Sequence, residues 1–154
     1  MPSREYPELP MVGVGGVVID EERVLLVRRA TDPARGEWTI PGGLLELGET
    51  LAEGVARELL EETGLTVRVL DLIEALERIF FDQAHDGNHV GPRYHYVILD
   101  YLCERVSGQP ALNNELSDFA FVREDELESY RLTPIASRVV HKAFAMARAR
   151  NIPR

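Results

Sequence analysis

Arg57, Glu58, Glu61 and Glu62 put three carboxylates and a guanidinium close together in sequence, and Glu49 adds another acid upstream. Residues three and four apart share one side of a helix, so Glu58, Glu61 and Glu62 gather their charges. Like charges so placed repel by roughly a few tenths of a kcal/mol per exposed pair. Such a cluster is either a solvated acidic face relieved by Arg57 or a seat for a cation. The preceding segment bears on that choice. Trp38-Thr39-Ile40-Pro41-Gly42-Gly43 reads as a short apolar strand end running into a Gly-Gly turn, followed by a loop carrying Glu46 and Glu49. Glycines let backbone come close to a ligand or ion that a side chain would hold off. Carboxylate oxygens beside open coordination positions suit magnesium or manganese bridging to phosphate oxygens. Phosphoryl transfer asks mainly for positioning and charge stabilisation, so no serine or cysteine nucleophile is required.

The elements that must hold these residues can be read around them. Ala52, Val55, Ala56 and Leu59 recur at the period of a helix with one apolar face. Thr50 with Glu53 forms a capping box, and Gly64 suits a left-handed C-cap. A helix over Leu51–Thr63 is therefore expected, with its glutamates turned away from Ala52, Ala56 and Leu59. Strands are expected at Gly13–Ile19 and Val24–Arg29 around a turn at Asp20-Glu21-Glu22, and at Trp38–Ile40 after a loop over Thr31–Gly36. Strand-like segments follow at Thr66–Glu77 and Arg93–Arg105, then a turn at Ser107–Pro110 and a strand at Phe119–Val122. Glu124–Glu128 reads as a short helix. Thr133 caps a last helix with Pro134 at its first position and Ile135, Val139, Ala143 and Met146 on one face. The order is mixed α/β (α+β), and the expected architecture is a mixed sheet between two helices.

From Gly43 to Leu65 the chain reads GLLELGETLAEGVARELLEETGL. This resembles the signature box of the Nudix hydrolases, GX5EX7REUXEEXGU with U aliphatic, at every fixed position. The resemblance covers most of the chain, with its specificity concentrated in the box. It implies an α/β/α sandwich with a mixed, curved sheet, and hydrolysis of a nucleoside diphosphate linked to a second moiety. Water would attack phosphorus, a glutamate would take its proton, and a nucleoside monophosphate would leave. The resemblance makes Glu58, Glu61 and Glu62 the ligands of Mg2+ or Mn2+, with the Gly42 carbonyl as a further donor. Arg57 and Glu49 become a supporting ion pair. Glu115 falls where relatives carry a later acid, as metal ligand or general base, with Asp118 as the other candidate.

Substrate is less defined. ADP-ribose hydrolases often carry a proline about sixteen residues past the box, where Phe81 stands, and diadenosine polyphosphate hydrolases a tyrosine where Asp82 stands. The upstream motif of the coenzyme A branch is missing. The general layout resembles small ADP-ribose or nucleotide-sugar pyrophosphatases. The alternatives are a MutT-like pyrophosphatase for oxidised nucleoside triphosphates and a non-catalytic nucleotide-binding regulator of the same fold. An isopentenyl-diphosphate isomerase-like member would lean on a catalytic cysteine and a departed box, whereas here the box is intact and Cys103 lies in the wrong setting.

The 154 residues suit a single domain with a short N-terminal segment over residues 1–10. A formal charge of −9 and a pI near 4.9 disfavour long nucleic acids as partners, although a bound cation would still admit a small polyanion. A small nucleotide is the expected partner, and a homodimer is expected by family analogy. The start of the chain has no basic-then-apolar signal, and its longest apolar run, Met11–Ile19, is too short to span a bilayer, so a cytoplasmic location is expected. Cys103, the sole cysteine, lies in an apolar run and reads as a buried, inert thiol.

Gly13-Val14-Gly15-Gly16 lacks the third glycine and following helix of a dinucleotide fingerprint, since Val18 stands at the required position. His85, His89 and His95 are spaced too loosely for a zinc site. Arg28 and Arg29 end a strand near the box loop, and either could clamp a phosphate or be a solvated pair. Phe80, Phe81, Tyr94 and Tyr96 are candidates to stack on a base, with core packing as the other reading; Tyr94 and Tyr96 share a strand face.

Overall fold

In the computed structural model, which describes residues 4–32, 34–82 and 91–150, strand β1 (Met11–Asp20) runs through the centre of the molecule. From Gly13 to Ile19 its residues are apolar or glycine and all are buried, as suits a strand covered on both faces. β1 pairs in parallel with β6 (Tyr94–Ser107) from Met11↔Tyr96 to Val18↔Cys103. β6 in turn pairs antiparallel with β5 (Thr66–Phe80), with register shifts near Val67, Leu70 and Ile73 that curve the ribbon.

On its other side β1 serves two partners in succession. Its first half pairs with β4 (Gly42–Leu44), from Gly13↔Leu44 to Gly15↔Gly42. Its end pairs with β2 (Arg23–Arg29), at Ile19↔Val24 and Asp20↔Arg23. β2 carries β3 (Trp38–Thr39) on one side and β7 (Leu116–Arg123) on the other. The strand array is therefore split beside Gly15 and Gly16, where the N–H of Gly16 donates to the Pro41 carbonyl at 3.0 Å.

Two helices cover the faces. α1 (Leu51–Thr63) sets Val55 and Leu59 against Val14, Val18, Leu25, Leu65 and Cys103, all buried. α2 (Pro134–Ala149) sets Val139, Val140, Ala143 and Phe144 against Val17, Ile19, Val24, Leu26 and Leu102. Truncating a leucine as fully buried as Leu59 to alanine costs about 2–5 kcal/mol. The expected sandwich with a mixed, curved sheet is found. Its bounds differ from expectation in places: β1, β5 and β6 run further, β7 begins at Leu116, the short helix expected at Glu124–Glu128 is a 3₁₀ helix over Glu124–Tyr130, and Gly42–Leu44 is a strand rather than a turn. None of the helices among the described residues is long and apolar enough to cross a membrane.

Candidate active site

α1 is fixed at both ends as its sequence requires. The Thr50 hydroxyl accepts the Glu53 N–H at 3.1 Å, and Gly64 closes the helix at φ 76°, its N–H donating to the Leu60 carbonyl. The box glutamates do not all face solvent. Glu58 and Glu62, one turn apart, are 9% and 4% exposed, whereas the Glu61 side chain is half exposed. The two inner acids lean on β4, and β4 admits them because it is glycine there. A Cβ on Gly43 would lie 2.5 Å from both carboxylate oxygens of Glu58. The N–H of Gly42 donates to Glu62 Oε1 at 2.7 Å.

Arg57 ties the site together. Its Nε and Nη2 grip Glu49 Oε2 and Oε1 at 2.6 and 2.9 Å, a two-pronged pairing that fixes the guanidinium plane. Nη2 also donates to the Leu44 carbonyl at 2.9 Å, and Nη1 donates to Glu58 Oε1 at 2.8 Å and Glu61 Oε2 at 3.2 Å. The Glu46 N–H donates to Glu49 at 2.8 Å. Helix, β4 and the intervening loop thus meet on one side chain.

The charges are divided accordingly. The Arg57 hydrogen bonds hold the Glu49 carboxyl below its ordinary range. Burial pushes the Glu58 carboxyl up, against the pull of Arg57. Burial also pushes Glu62 up to about 8, with Glu58 and Glu115 adding repulsion and the Gly42 N–H opposing. Two acids whose ionisation is disfavoured in this way gain most from a cation placed between them and solvent.

The structure brings Glu115 close enough to act on both Glu58 and Glu62. Its loop is anchored by the Asn113 N–H on the Glu62 carbonyl at 3.4 Å and by the Ala30 N–H on its own carbonyl at 2.9 Å. Asp118 instead pairs with Arg28 across β2 and β7, and its carboxylate accepts the Phe119 N–H at 2.8 Å. The two arginines also part ways. Arg29 acts electrostatically on both Glu62 and Tyr96, whereas Arg28 donates to the Gly36 carbonyl at 2.9 Å. Tyr96 stacks beside Tyr94 at 6.1 Å, and Phe80 meets Tyr94 edge-on. Phe81 is 69% exposed just past the end of β5. His85 and His89 lie outside the described residues.

No three acids, histidines or cysteines among the described residues converge into a ready-made metal cage. Magnesium does not need one: it keeps several waters and is commonly held by one or two carboxylates plus substrate phosphates. The buried oxygens of Glu58 and Glu62, with Glu61 beside them, are a donor set that fits such an ion.

One buried acid escapes sequence reasoning altogether. Asp100, on β6, is 6% exposed, and burial pushes its carboxyl up to about 6. Its signal is a lone charge inside the apolar run Val97–Cys103.

The NUDIX domain family matches residues 9–143, and the chain belongs to the Nudix family. A MutT-like protein of Streptomyces ambofaciens is 52% identical over 87% of this chain and 77% of its own length. An ADP-ribose pyrophosphatase of Methanocaldococcus jannaschii is 30% identical over 73% of this chain, which spans 61% of the archaeal protein. Among solved structures, a MutT Nudix hydrolase from Burkholderia pseudomallei superposes with TM-score 0.72 at 27% identity, over 88% of this chain and 98% of that one.

Proposed function

We propose that this chain is a Mg2+- or Mn2+-dependent pyrophosphohydrolase acting on a nucleoside diphosphate linked to a second moiety, with ADP-ribose or a nucleotide sugar as substrate. The observation that carries the reading is the buried pair Glu58 and Glu62 seated against Gly43 and Gly42, two acids that demand a cation. In this reading Glu58, Glu61 and Glu62 hold the ion, with the Gly42 carbonyl and Glu115 as further donors. A bound divalent ion supplies charge neutralisation on the anhydride oxygens. Arg57, held by Glu49, keeps Glu58 and Glu61 in place. Glu115, on the exposed side of the pair, is the group to accept the proton of the attacking water. Arg29 faces the phosphates, and Tyr96 and Phe81 are assigned to the nucleoside end.

A second reading is favoured by the MutT-like names of the Streptomyces and Burkholderia relatives: hydrolysis of oxidised nucleoside triphosphates. One experiment separates them. Product release is followed across ADP-ribose, nucleotide sugars, diadenosine polyphosphates, and normal and oxidised nucleoside triphosphates, with metal-free and Glu62→Gln controls. AMP from ADP-ribose supports the first reading, and pyrophosphate from triphosphates supports the second. Product release no greater than that of the Glu62→Gln control, with nucleotide still bound, would dispose of both and favour a nucleotide-binding regulator.

A further inference from the structure

Asp100 is a carboxylate in an expensive place with nothing to justify it inside the protein. It is 6% exposed, burial and repulsion from Glu74 both disfavour its charge, and no hydrogen bond to its carboxylate is found among the described residues. A buried carboxylate that accepts no hydrogen bond is costly to the fold. Among the described residues the fully buried side-chain polar atom that lacks a partner is Arg93 Nε, so the Asp100 oxygens are not sealed off and a ligand can reach them.

Asp100 pairs with Gly15 on β1 and leans over it, so that a Cβ on Gly15 would overlap Oδ1. Gly13, two residues earlier on the same face, meets only the edge of Ile98 and the Gly43 carbonyl. Period-2 alternation sets Tyr94, Tyr96, Ile98 and Asp100 on one face of β6. α2 packs further along that face, against Val17, Ile19 and Leu102. The result is a strip of sheet face over buried Gly13 and Gly15, with Ile40 beside Gly15 on one flank, stacked tyrosine rings at one end and an acid at the other.

This surface is connected to the acids of α1. Gly15 has Asp100 as its neighbour on β6 and Gly42 as its neighbour on β4, and the Gly42 N–H reaches Glu62. Two strand spacings, roughly 9.5 Å, therefore separate the backbones of Asp100 and Gly42. That is the reach of a nucleoside beyond its phosphate, not of the phosphate itself. Arg29 acts electrostatically on both Glu62 and Tyr96.

Resting on the hydrolase reading above, we infer that Asp100 is a specificity-determining residue that accepts a hydrogen bond from the exocyclic amine of the substrate's base, with Tyr96 against the ring. An oxo group at the same place offers no proton to the carboxylate, so amino bases are preferred over their oxo counterparts. Gly15 is kept free of a side chain to let the carboxylate lie flat.

The test uses pairs that differ at that group: ADP-ribose against its hypoxanthine analogue, GDP-mannose against its hypoxanthine analogue, and CDP-glucose against UDP-glucose. Binding is read by calorimetry with Mg2+ on Glu62→Gln protein, in which turnover is slow, and kcat/KM on the otherwise native chain. In at least one pair the amino member should bind about tenfold tighter or more. Asp100→Asn and Asp100→Ala, each checked for folding by thermal melting, should bring that ratio to within about twofold. Asp100→Asn is nearly isosteric and keeps the test open if the alanine variant fails to fold. A ratio that survives substitution, or no preference or binding in any pair, overturns the assignment. Failure of the hydrolase reading is a separate outcome, because it removes product release while leaving the binding ratios measurable.

Discussion

Gly43 and Glu58 share a space that holds one side chain and not two. A methyl group on residue 43 would stand 2.5 Å from both oxygens of the Glu58 carboxylate, so the glycine is the condition for the acid's position. Gly43→Ala should therefore push Glu58 aside. A displacement of about 1 Å costs on the order of a hundredfold in rate. Steady-state kinetics should show the loss mainly in kcat, and a rate within about threefold of native would mean that Glu58 is not placed for catalysis.

Arg57→Lys tests the two-pronged grip on Glu49. Lysine keeps the charge but cannot span both carboxylate oxygens and also reach Glu58 and Glu61. The expected outcome is a fall in kcat of about ten- to a hundredfold with a weaker response to Mg2+. Melting temperature should drop only slightly. Equal loss of rate and fold would point instead to a purely structural arginine.

Metal removal has a stability signature as well as a kinetic one. Chelation should abolish turnover, and Mg2+ at a hundred times its dissociation constant should stabilise the native chain by about 2.7 kcal/mol. Glu62→Gln should lose most of that gain, since its amide keeps the shape but not the charge. Differential scanning fluorimetry decides the matter, and an undiminished shift in the variant would place the ion elsewhere.

Asp100 makes a prediction about pH. Burial raises its carboxyl from the ordinary 3.8 to about 6, so between those values the folded protein holds a proton that the unfolded chain has shed. The stability drawn from this group is complete below about pH 3.8 and is lost as pH rises through 6. Asp100→Asn should equal the native chain in stability near pH 3.5 and exceed it at pH 7.5 by on the order of 1–3 kcal/mol. Denaturant midpoints at both pH values measure the difference, and parallel curves for the two proteins would contradict it.

Cys103 should be inert. Its thiol is buried, burial pushes it up to about 12, and a Cβ on Gly16 would lie only 3.2 Å from Sγ. The native protein should resist thiol reagents until unfolded, and Cys103→Ala should keep its turnover. Loss of activity with the fold intact would return the isomerase-like alternative to consideration.

The helix was legible in the sequence because every device that defines it is local: Thr50, Glu53, Gly64 and the apolar period act within a few residues, and the bounds Leu51–Thr63 are as expected. β4 was not. Gly42 and Gly43 have no side chains to advertise a strand, and their extended form is imposed by pairing with Gly15 and Val14, far away in sequence. The burial of Glu58 and Glu62 was hidden for the same reason, since a helical wheel puts them opposite Ala52 but cannot show that glycine backbone will come up to meet them. Glu115 was reachable only through resemblance, and its nearness to the pair depends on a hydrogen bond from Asn113 to the end of α1. Asp100 carried a visible signal, one acid in an apolar strand. Its importance lay in which face it took and in the missing side chain of Gly15.

β1 alternates its attention. Val14 and Gly16 look toward α1 and its acids, while Gly13 and Gly15 look toward Tyr96, Ile98 and Asp100. In the proposed reading, two tasks are thus written on opposite sides of one strand, in interleaved letters. A lineage can revise the letters on one side without disturbing the other, so new preferences can arise while the old bond-breaking apparatus is inherited whole.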